Sequence, residues 1–226
     1  MTGSLVSPAT RRRVRDLATP IARGLGRLGL TPNALTVIGF AGTCVAAGAA
    51  ALQWWLAAGV LVLVFGIFDL FDGTLARATG KASRLGAFLD STFDRAGEAL
   101  VFLGIAAGLL ASQVAGGALL SAAAMGAAFM VSYTRAKSES LGFTPASGMA
   151  EVGLAPREVR LVILAIGLLA AGLLPGTPVV CVSAPCPQPL GPGGLALLGA
   201  LGLITLLATA TTIQRILHVR SRAGEG

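Results

Sequence analysis

Long apolar blocks separated by short polar connections dominate the sequence. Six of these blocks are about as long as the roughly 20 residues that an α-helix needs to cross a bilayer core. Their expected bounds are residues 34–52, 54–71, 85–112, 116–134, 159–174 and 194–214. Glycine and alanine recur inside the blocks, and such small residues let helices pack closely in lipid. The pattern predicts an all-α integral membrane protein with six transmembrane helices.

The segment before the first block alternates arginine with leucine, valine and isoleucine. Over residues 8–28 its apolar positions recur at near-helical spacing. This predicts an amphipathic helix on the inner membrane surface, with its arginines facing lipid headgroups. A disordered basic tail is the alternative, although such a tail would not repeat its apolar positions. A cleavable signal peptide is not expected, because no short apolar core with a cleavage site follows the charged segment.

The composition excludes soluble globular and disordered proteins. Hydrophobic residues make up 54% of the chain and charged residues only 12%, about half the charged share of a soluble domain. The expected organisation is a tail with a juxtamembrane helix over residues 1–30, a six-helix domain over 31–215 and a basic tail over 216–226.

The net charge of +7 comes from basic residues that cluster around alternate connections. The other connections, near residues 53 and 113 and from 175 to 194, carry no basic residue. By the positive-inside rule this predicts a multi-pass protein of the inner or plasma membrane with both termini in the cytoplasm, as an even number of spans requires. Nucleic acid is not an expected partner, because aromatic and basic residues are not interleaved.

Three cysteines carry limited information. Cys44 lies in the middle of the first block and is interpreted as a small packing residue. Cys181 and Cys186 lie in the proline-rich connection that the topology places outside the cell. An external disulfide and two free thiols are both open for this pair.

Half of the ten acidic residues lie between residues 68 and 98, namely Asp69, Asp72, Asp90, Asp94 and Glu98. Ionisable residues in a membrane span are costly, so they indicate a functional site. Spacings of three and four residues place each aspartate pair on one face of its helix. Because the two helices are joined by a short connection they run antiparallel, which can bring all four aspartates together at the cytoplasmic end. Gly86, one turn before Asp90, is expected to leave room for a ligand.

Four neighbouring carboxylates repel one another strongly unless cations hold them. Without cysteine or a usable histidine, since His218 lies beyond the last block, the oxygen ligands favour Mg²⁺ first, with Mn²⁺ or Ca²⁺ possible. With Arg77 beside it, the cluster suits a phosphate or diphosphate bridged by metal. A salt-bridge network with Arg77 and Arg95 is the alternative, but it would not need four carboxylates at these spacings.

The stretch from Asp69 to Asp94 reads D-x-x-D-G-x-x-A-R-x(8)-G-x(3)-D-x(3)-D. It resembles the signature of the CDP-alcohol phosphotransferases. Eight positions carry the resemblance: Asp69, Asp72, Gly73, Ala76, Arg77, Gly86, Asp90 and Asp94. The sequence LTPNALT at the start of the first block is also similar, as are the six spans and the amphipathic helix. The resemblance implies an enzyme that is a homodimer in the membrane.

The resemblance also implies roles for individual residues. Asp69, Asp72 and Asp90 would hold two metal ions, Mg²⁺ or Mn²⁺, on the diphosphate of CDP-diacylglycerol. Asp94 would contribute to the second metal and act as the base that takes the acceptor proton. The implied contacts to the CDP-lipid are Pro32, Asn33, Ala34, Leu35, Gly73, Arg77, Ser83 and Gly86. CMP would leave after attack by the acceptor at the cytoplasmic interface.

Family members that transfer to inositol phosphate have similar basic residues near the ends of the later spans. The corresponding acceptor-binding residues here are Arg135, Lys137, Arg157 and Arg215, with Arg160 as a further candidate. They predict a pocket for a phosphorylated alcohol and a phosphatidylinositol phosphate product. Alternatively, they are ordinary positive-inside residues. Residues 143–154 depart from the family pattern, which leaves glycerol phosphate, inositol and serine open as acceptors.

Two other classes are weighed against an enzyme. A cation transporter would place its carboxylates near the midplane and line both sides of a path, whereas these crowd the inner end. A membrane scaffold would not need the eight-residue pattern.

Overall fold

The computed structural model describes residues 8–114, 116–143, 153–176 and 190–223. Within these ranges the regular elements are seven α-helices, and no strand occurs. They are α1 (Pro8–Arg27), α2 (Pro32–Ala51), α3 (Trp55–Thr79), α4 (Arg84–Ala111), α5 (Gly117–Ser140), α6 (Arg157–Leu173) and α7 (Pro192–Ala223). Cys181 and Cys186 lie outside the described residues, so their pairing stays a prediction.

Each expected segment has its helix, and three helices continue well beyond the C-terminal ends of their apolar blocks. α3 continues to Thr79, α5 to Ser140 and α7 to Ala223, whereas the blocks end at residues 71, 134 and 214. Hydropathy marks contact with lipid, and a helix can continue beyond it into the polar interface. The motif residues after position 71 are therefore helical rather than part of a loop.

Among the described residues, four helices are long and apolar enough to cross a membrane: α2, α3, α5 and α7. α4 also has the length, but it carries five ionisable residues. α6 has only 17 residues, fewer than a typical span. The chain is thus an all-helical protein with at least four candidate spans, while six spans and the interfacial position of α1 remain predictions.

Local signals fix the ends of the helices that carry the motif. Thr31 caps α2 by accepting a hydrogen bond from the backbone N–H of Ala34 at 3.2 Å, with a proline at the first helical position. Ser83 caps α4 in the same way through the N–H of Gly86 at 3.0 Å. α3 ends at Gly80, which has the left-handed φ of 66° that glycine adopts without strain. The two halves of the motif are therefore separated by a very short connection.

A glycine seam on α4 brings α2 very close. A Cβ atom added to Gly104 would overlap the backbone carbonyl of Ala47, and one added to Gly108 would overlap that of Ala50. Backbone atoms cannot move aside as a flexible side chain would, so larger residues would push the two helices apart. Gly97 lies nearer the motif, and a Cβ atom added there would be 3.0 Å from the Cγ2 atom of Thr43. The seam thus fixes the wall of α2 beside the aspartates.

Buried residues form one central cluster, and a smaller cluster attaches α1 to the bundle. The central cluster includes the fully or nearly fully buried Phe102, Ile105 and Leu168. In the smaller cluster, Ala22 of α1 packs with Leu35 and Leu75. Many large apolar side chains elsewhere are exposed, as expected for helices whose outer faces contact lipid.

Candidate active site

A cleft with about 340 Å³ of empty space lies where α2, α3, α4 and the start of α6 meet. Its polar lining residues are Thr36, Thr43, Asp72, Asp94, Glu98 and Arg157, and its aromatic ones are Phe40, Phe65 and Phe93. Phe40 and Phe93 stack with their ring centroids 4.7 Å apart. The cleft therefore joins carboxylates from both halves of the motif to an apolar interior.

Asp72 is held from α2. Its side chain is buried, and the hydroxyl of Thr36 donates to its Oδ2 atom at 2.6 Å. A buried carboxylate needs such a donor, because burial without a partner costs several kcal/mol or more. The sequence analysis did not assign a role to Thr36. A signal was present, since Thr36 is the last residue of the LTPNALT stretch and lies on the first turns of the same helix.

Asp94 is held from α6. Nη2 of Arg157 lies 2.8 Å from Oδ1 of Asp94, and Nη1 of Arg95 lies 3.9 Å from its other oxygen. One turn further along α4, Glu98 forms a second ion pair with Arg160. Two acidic residues four apart on α4 thus face two arginines three apart on α6. Sequence reasoning assigned no role to Glu98, although its spacing of four from Asp94 places it on the same helix face.

The predicted metal-ligating residues are described only in part. Asp72 and Asp94 line one cleft, and Asp90 lies one turn before Asp94 on α4. The side chain of Asp69 lies outside the described residues. Among the described side chains, no three of His, Cys, Asp and Glu lie close enough to form an ion site. The ligand chemistry nevertheless fits a hard divalent cation, because the groups in the cleft that could ligate a metal are carboxylate and hydroxyl oxygens, with no sulfur or imidazole.

The predicted CDP-lipid contacts come together at the starts of α2 and α4. A Cβ atom on Gly86 would lie 3.0 Å from Oδ1 of Asn33 and 3.1 Å from Oγ of Ser83. The side chains of Asn33 and Ser83 therefore lie beside Gly86, which places three predicted contacts next to one another. On α3, the guanidinium of Arg77 folds back over Gly73, 3.5 Å from where a Cβ atom would be.

Leu35 differs from the other predicted contacts. Its side chain is fully buried and packs with Ala22 and Leu75. It therefore supports the wall of the cleft from within the core rather than presenting an exposed surface. The sequence did not reveal this, because the contact depends on how α1 docks.

The four predicted acceptor residues lie on three helices, α5, α6 and α7. Arg157 lies in the cleft, at Asp94. Arg215 is buried on α7 and donates through Nη1 to the carbonyl of Val131 on α5, with Arg135 close enough for their charges to interact. Arg135 also pairs with Glu139 at 2.9 Å on the surface.

Lys137 and Arg135 lie on different faces of α5. Lys137 follows Arg135 by two residues, which is roughly 200° around a helix, and both side chains are exposed. A single acceptor pocket that contains both residues stays a prediction.

Comparison with known proteins identifies the family. The model of the CDP-alcohol phosphatidyltransferase family matches residues 29–215. The chain belongs to this family. The protein is thus an enzyme, a transferase, and the alternatives of a cation transporter and a membrane scaffold are wrong.

The transferase is similar in sequence to two synthases of inositol-containing lipids. It is 40% identical over 160 residues to archaetidylinositol phosphate synthase of Pyrococcus horikoshii, covering 70% of this chain and 80% of the relative. It is 36% identical over 208 residues to phosphatidylinositol phosphate synthase of Cutibacterium acnes, covering 89% of this chain and 91% of the relative. Both names contain inositol phosphate and they differ in the lipid group.

Solved structures of phosphatidylinositol phosphate synthase from Mycobacterium tuberculosis have a similar fold. The structure with bound CDP-DAG has a TM-score of 0.70 and 28% identity, covering 90% of this chain and 94% of that one. A second structure, in complex with manganese and citrate, has a TM-score of 0.70 and 29% identity, covering 89% and 88%. The transferase is accordingly a membrane protein of phospholipid biosynthesis whose relatives include a metal-bound member.

Proposed function

We propose that the transferase moves a phosphatidyl group from CDP-diacylglycerol to inositol phosphate, giving phosphatidylinositol phosphate and CMP. The observation that carries this proposal is the 2.8 Å contact between Arg157 and Asp94. It places a side chain suited to binding phosphate directly beside the proposed base. Two comparisons support the same reaction. The names of the relatives include inositol phosphate, and the M. tuberculosis structure contains bound CDP-DAG.

The proposed arrangement in the membrane follows from the charge pattern. Six helices, α2–α7, cross the bilayer, α1 lies at the inner surface, and both termini and the cleft face the cytoplasm of the cell. The helical domain covers residues 31–215, between the juxtamembrane region 1–30 and the basic tail 216–226. The proposed assembly is a homodimer, as the family resemblance implies.

Asp69, Asp72, Asp90 and Asp94 are the proposed ligands of two Mg²⁺ ions. Bound divalent ions would neutralise the diphosphate of the donor and stabilise charge on the departing CMP. Thr36 keeps the buried carboxylate of Asp72 in place through its hydrogen bond. At the starts of α2 and α4, Asn33, Ser83 and Gly86 are proposed to contact the nucleotide, with Pro32 and Ala34 adjacent and Gly73 and Arg77 on α3.

The proposed chemical step is a displacement at the lipid-side phosphorus. The acceptor oxygen forms a bond to this phosphorus, the bond from phosphorus to the oxygen of CMP breaks, and the hydroxyl proton passes to a carboxylate oxygen of Asp94. Because a carboxylate near metal is a weak base, Asp94 acts through proximity and orientation. Arg157 holds the acceptor phosphate, and Arg135 and Arg215 extend the positive region between α5 and α7.

An acceptor comparison tests this function. We expect the purified enzyme, with CDP-diacylglycerol and Mg²⁺ in detergent, to release CMP with inositol phosphate and much more slowly with glycerol phosphate, inositol or serine. The measurement is the initial rate of CMP release at matched acceptor concentrations, with a chelator and an acceptor-free reaction as controls. Faster release with one of the other acceptors would replace inositol phosphate in the proposal.

The variant Arg157→Gln tests how the acceptor is recognised. Loss of a charge-assisted contact, worth roughly 1.5–3 kcal/mol, is expected to raise the KM for inositol phosphate about tenfold to a hundredfold, with little change in the KM for CDP-lipid. Inositol lacks the phosphate and should show a much smaller effect. Since the variant also disturbs Asp94, the decisive quantity is the ratio of the two acceptor effects.

Arg220→Gln is the matched control. Arg220 is exposed near the end of α7, and its substitution removes one positive charge, as Arg157→Gln does. Arg215 is less suitable, because it is buried and its loss also removes the contact to Val131. Equal, small effects of Arg157→Gln on both acceptors would show that Arg157 does not bind a phosphate.

A further inference from the structure

The start of α6 is fastened to α4 by a buried ion pair. Arg160 is only 2% exposed, and its Nε and Nη2 atoms donate to the two oxygens of Glu98, each at 2.9 Å. Two parallel hydrogen bonds between a planar guanidinium and a carboxylate fix orientation as well as distance. The contact therefore defines how α6 is rotated relative to α4.

The same arginine also fixes the chain just before α6. Nη1 of Arg160 donates to the carbonyl of Ala155 at 3.0 Å, and the N–H of Ala155 donates to the hydroxyl of Thr211 on α7 at 2.9 Å. Ala155 itself is fully buried. At Gly153, which has a φ of 132°, an added Cβ atom would overlap the side chain of Thr211. The backbone that leads into α6 is thus held between α4 and α7.

Stability alone is a weak reason for such a pair. Desolvating two charges costs several kcal/mol per ion, and replacing a buried pair by apolar residues of similar size is often neutral or stabilising. A charged pair can instead specify one geometry. The residue whose geometry it sets here is Arg157, which lies three residues before Arg160 and contacts Asp94, four residues before Glu98.

We propose that Glu98 and Arg160 are positioning residues for phosphatidyl transfer. They hold the first turn of α6 so that Arg157 presents its guanidinium to the acceptor phosphate beside Asp94. This inference rests on the proposed function, because it assumes that Arg157 binds that phosphate. Glu98 lines the cleft, but the role assigned to it and to Arg160 is to hold Arg157 in place and not to contact a substrate.

The test compares two variants that affect the pair differently. Glu98→Gln keeps the shape but weakens the bidentate contact, and the double variant Glu98→Met with Arg160→Met replaces the pair by apolar residues. We expect both to raise the KM for inositol phosphate about tenfold, the effect of a weakened charge-assisted contact, and to leave the KM for CDP-lipid within about twofold. We also expect the double variant to unfold at or near the wild-type temperature.

The apolar variant separates positioning from simple structural support. A double variant with wild-type stability and a wild-type KM for inositol phosphate would overturn the inference, because the pair would then be replaceable packing. If the double variant does not fold, Glu98→Gln decides alone, and an unchanged KM for inositol phosphate overturns the inference. Glu158→Gln is the matched control, since Glu158 is exposed on the same turn of α6.

A double-mutant comparison distinguishes this inference from the proposed function. If Glu98 acts through Arg157, the double variant Arg157→Gln with Glu98→Gln should have nearly the same KM for inositol phosphate as the single variant Arg157→Gln. Additive effects would overturn the positioning role and leave the proposed function intact. If Arg157→Gln alone leaves the KM for inositol phosphate unchanged, the proposed role of Arg157 in acceptor binding is contradicted, and the positioning role falls with it.

Discussion

Asp72→Asn is expected to abolish Mg²⁺-dependent CMP release while leaving a folded enzyme. The substitution preserves size, and an asparagine oxygen can still accept the hydrogen bond from Thr36. It removes the negative charge of a carboxylate that is 4% exposed and lines the cleft. Hard cations bind weakly without that charge. The measurement is CMP release over a range of Mg²⁺ concentrations, with the unfolding temperature as the check on folding.

The same loss is expected for Asp69→Asn and Asp90→Asn, because all three are proposed metal ligands. Ordinary Mg²⁺-dependent activity in any of these variants would contradict the metal site. Glu158→Gln again supplies a control, since it removes an exposed acidic charge from α6.

Asp94→Asn should separate the base from the other ligands. Three carboxylates of the motif remain, so we expect the variant to bind CDP-lipid, yet to transfer its phosphatidyl group roughly a hundredfold more slowly or worse, the scale of losing a general base. The comparison requires CDP-lipid binding and single-turnover CMP formation on the same preparation. If Asp94→Asn and Asp72→Asn lose CDP-lipid binding to the same degree in this comparison, Asp94 has no distinct role.

The helices could be predicted because each is encoded locally. Runs of apolar residues identified the blocks, and the α3–α4 connection follows from Gly80 and the Ser83 cap. The ends were predicted less well, because hydropathy measures contact with lipid and helix formation does not stop where that contact stops. α3 illustrates this, since the turns that carry Gly73 and Arg77 lie beyond the apolar block.

The site was predictable where it depends on spacing within one helix and unpredictable where it depends on packing. The antiparallel course of α3 and α4 predicted that Asp72 and Asp94 would meet, and both line one cleft. The pairing of Arg157 with Asp94 depends on where α6 docks, which no local pattern records.

The cleft is assembled from two parts of the chain that differ in what they contribute. α2, α3 and α4 provide the donor motif, and α6 reaches it through the contact of Arg157 with Asp94. Under the proposed function, this division would let the donor-binding and acceptor-binding parts of the chain change independently in evolution. If α6 and α7 bind the acceptor as proposed, mutations on these helices would exchange one acceptor for another while the ancestral donor chemistry is inherited unchanged. Divergence among descendants of one such gene would then accumulate in the second half of the chain, and grafting that half between homologues would transfer acceptor preference with it.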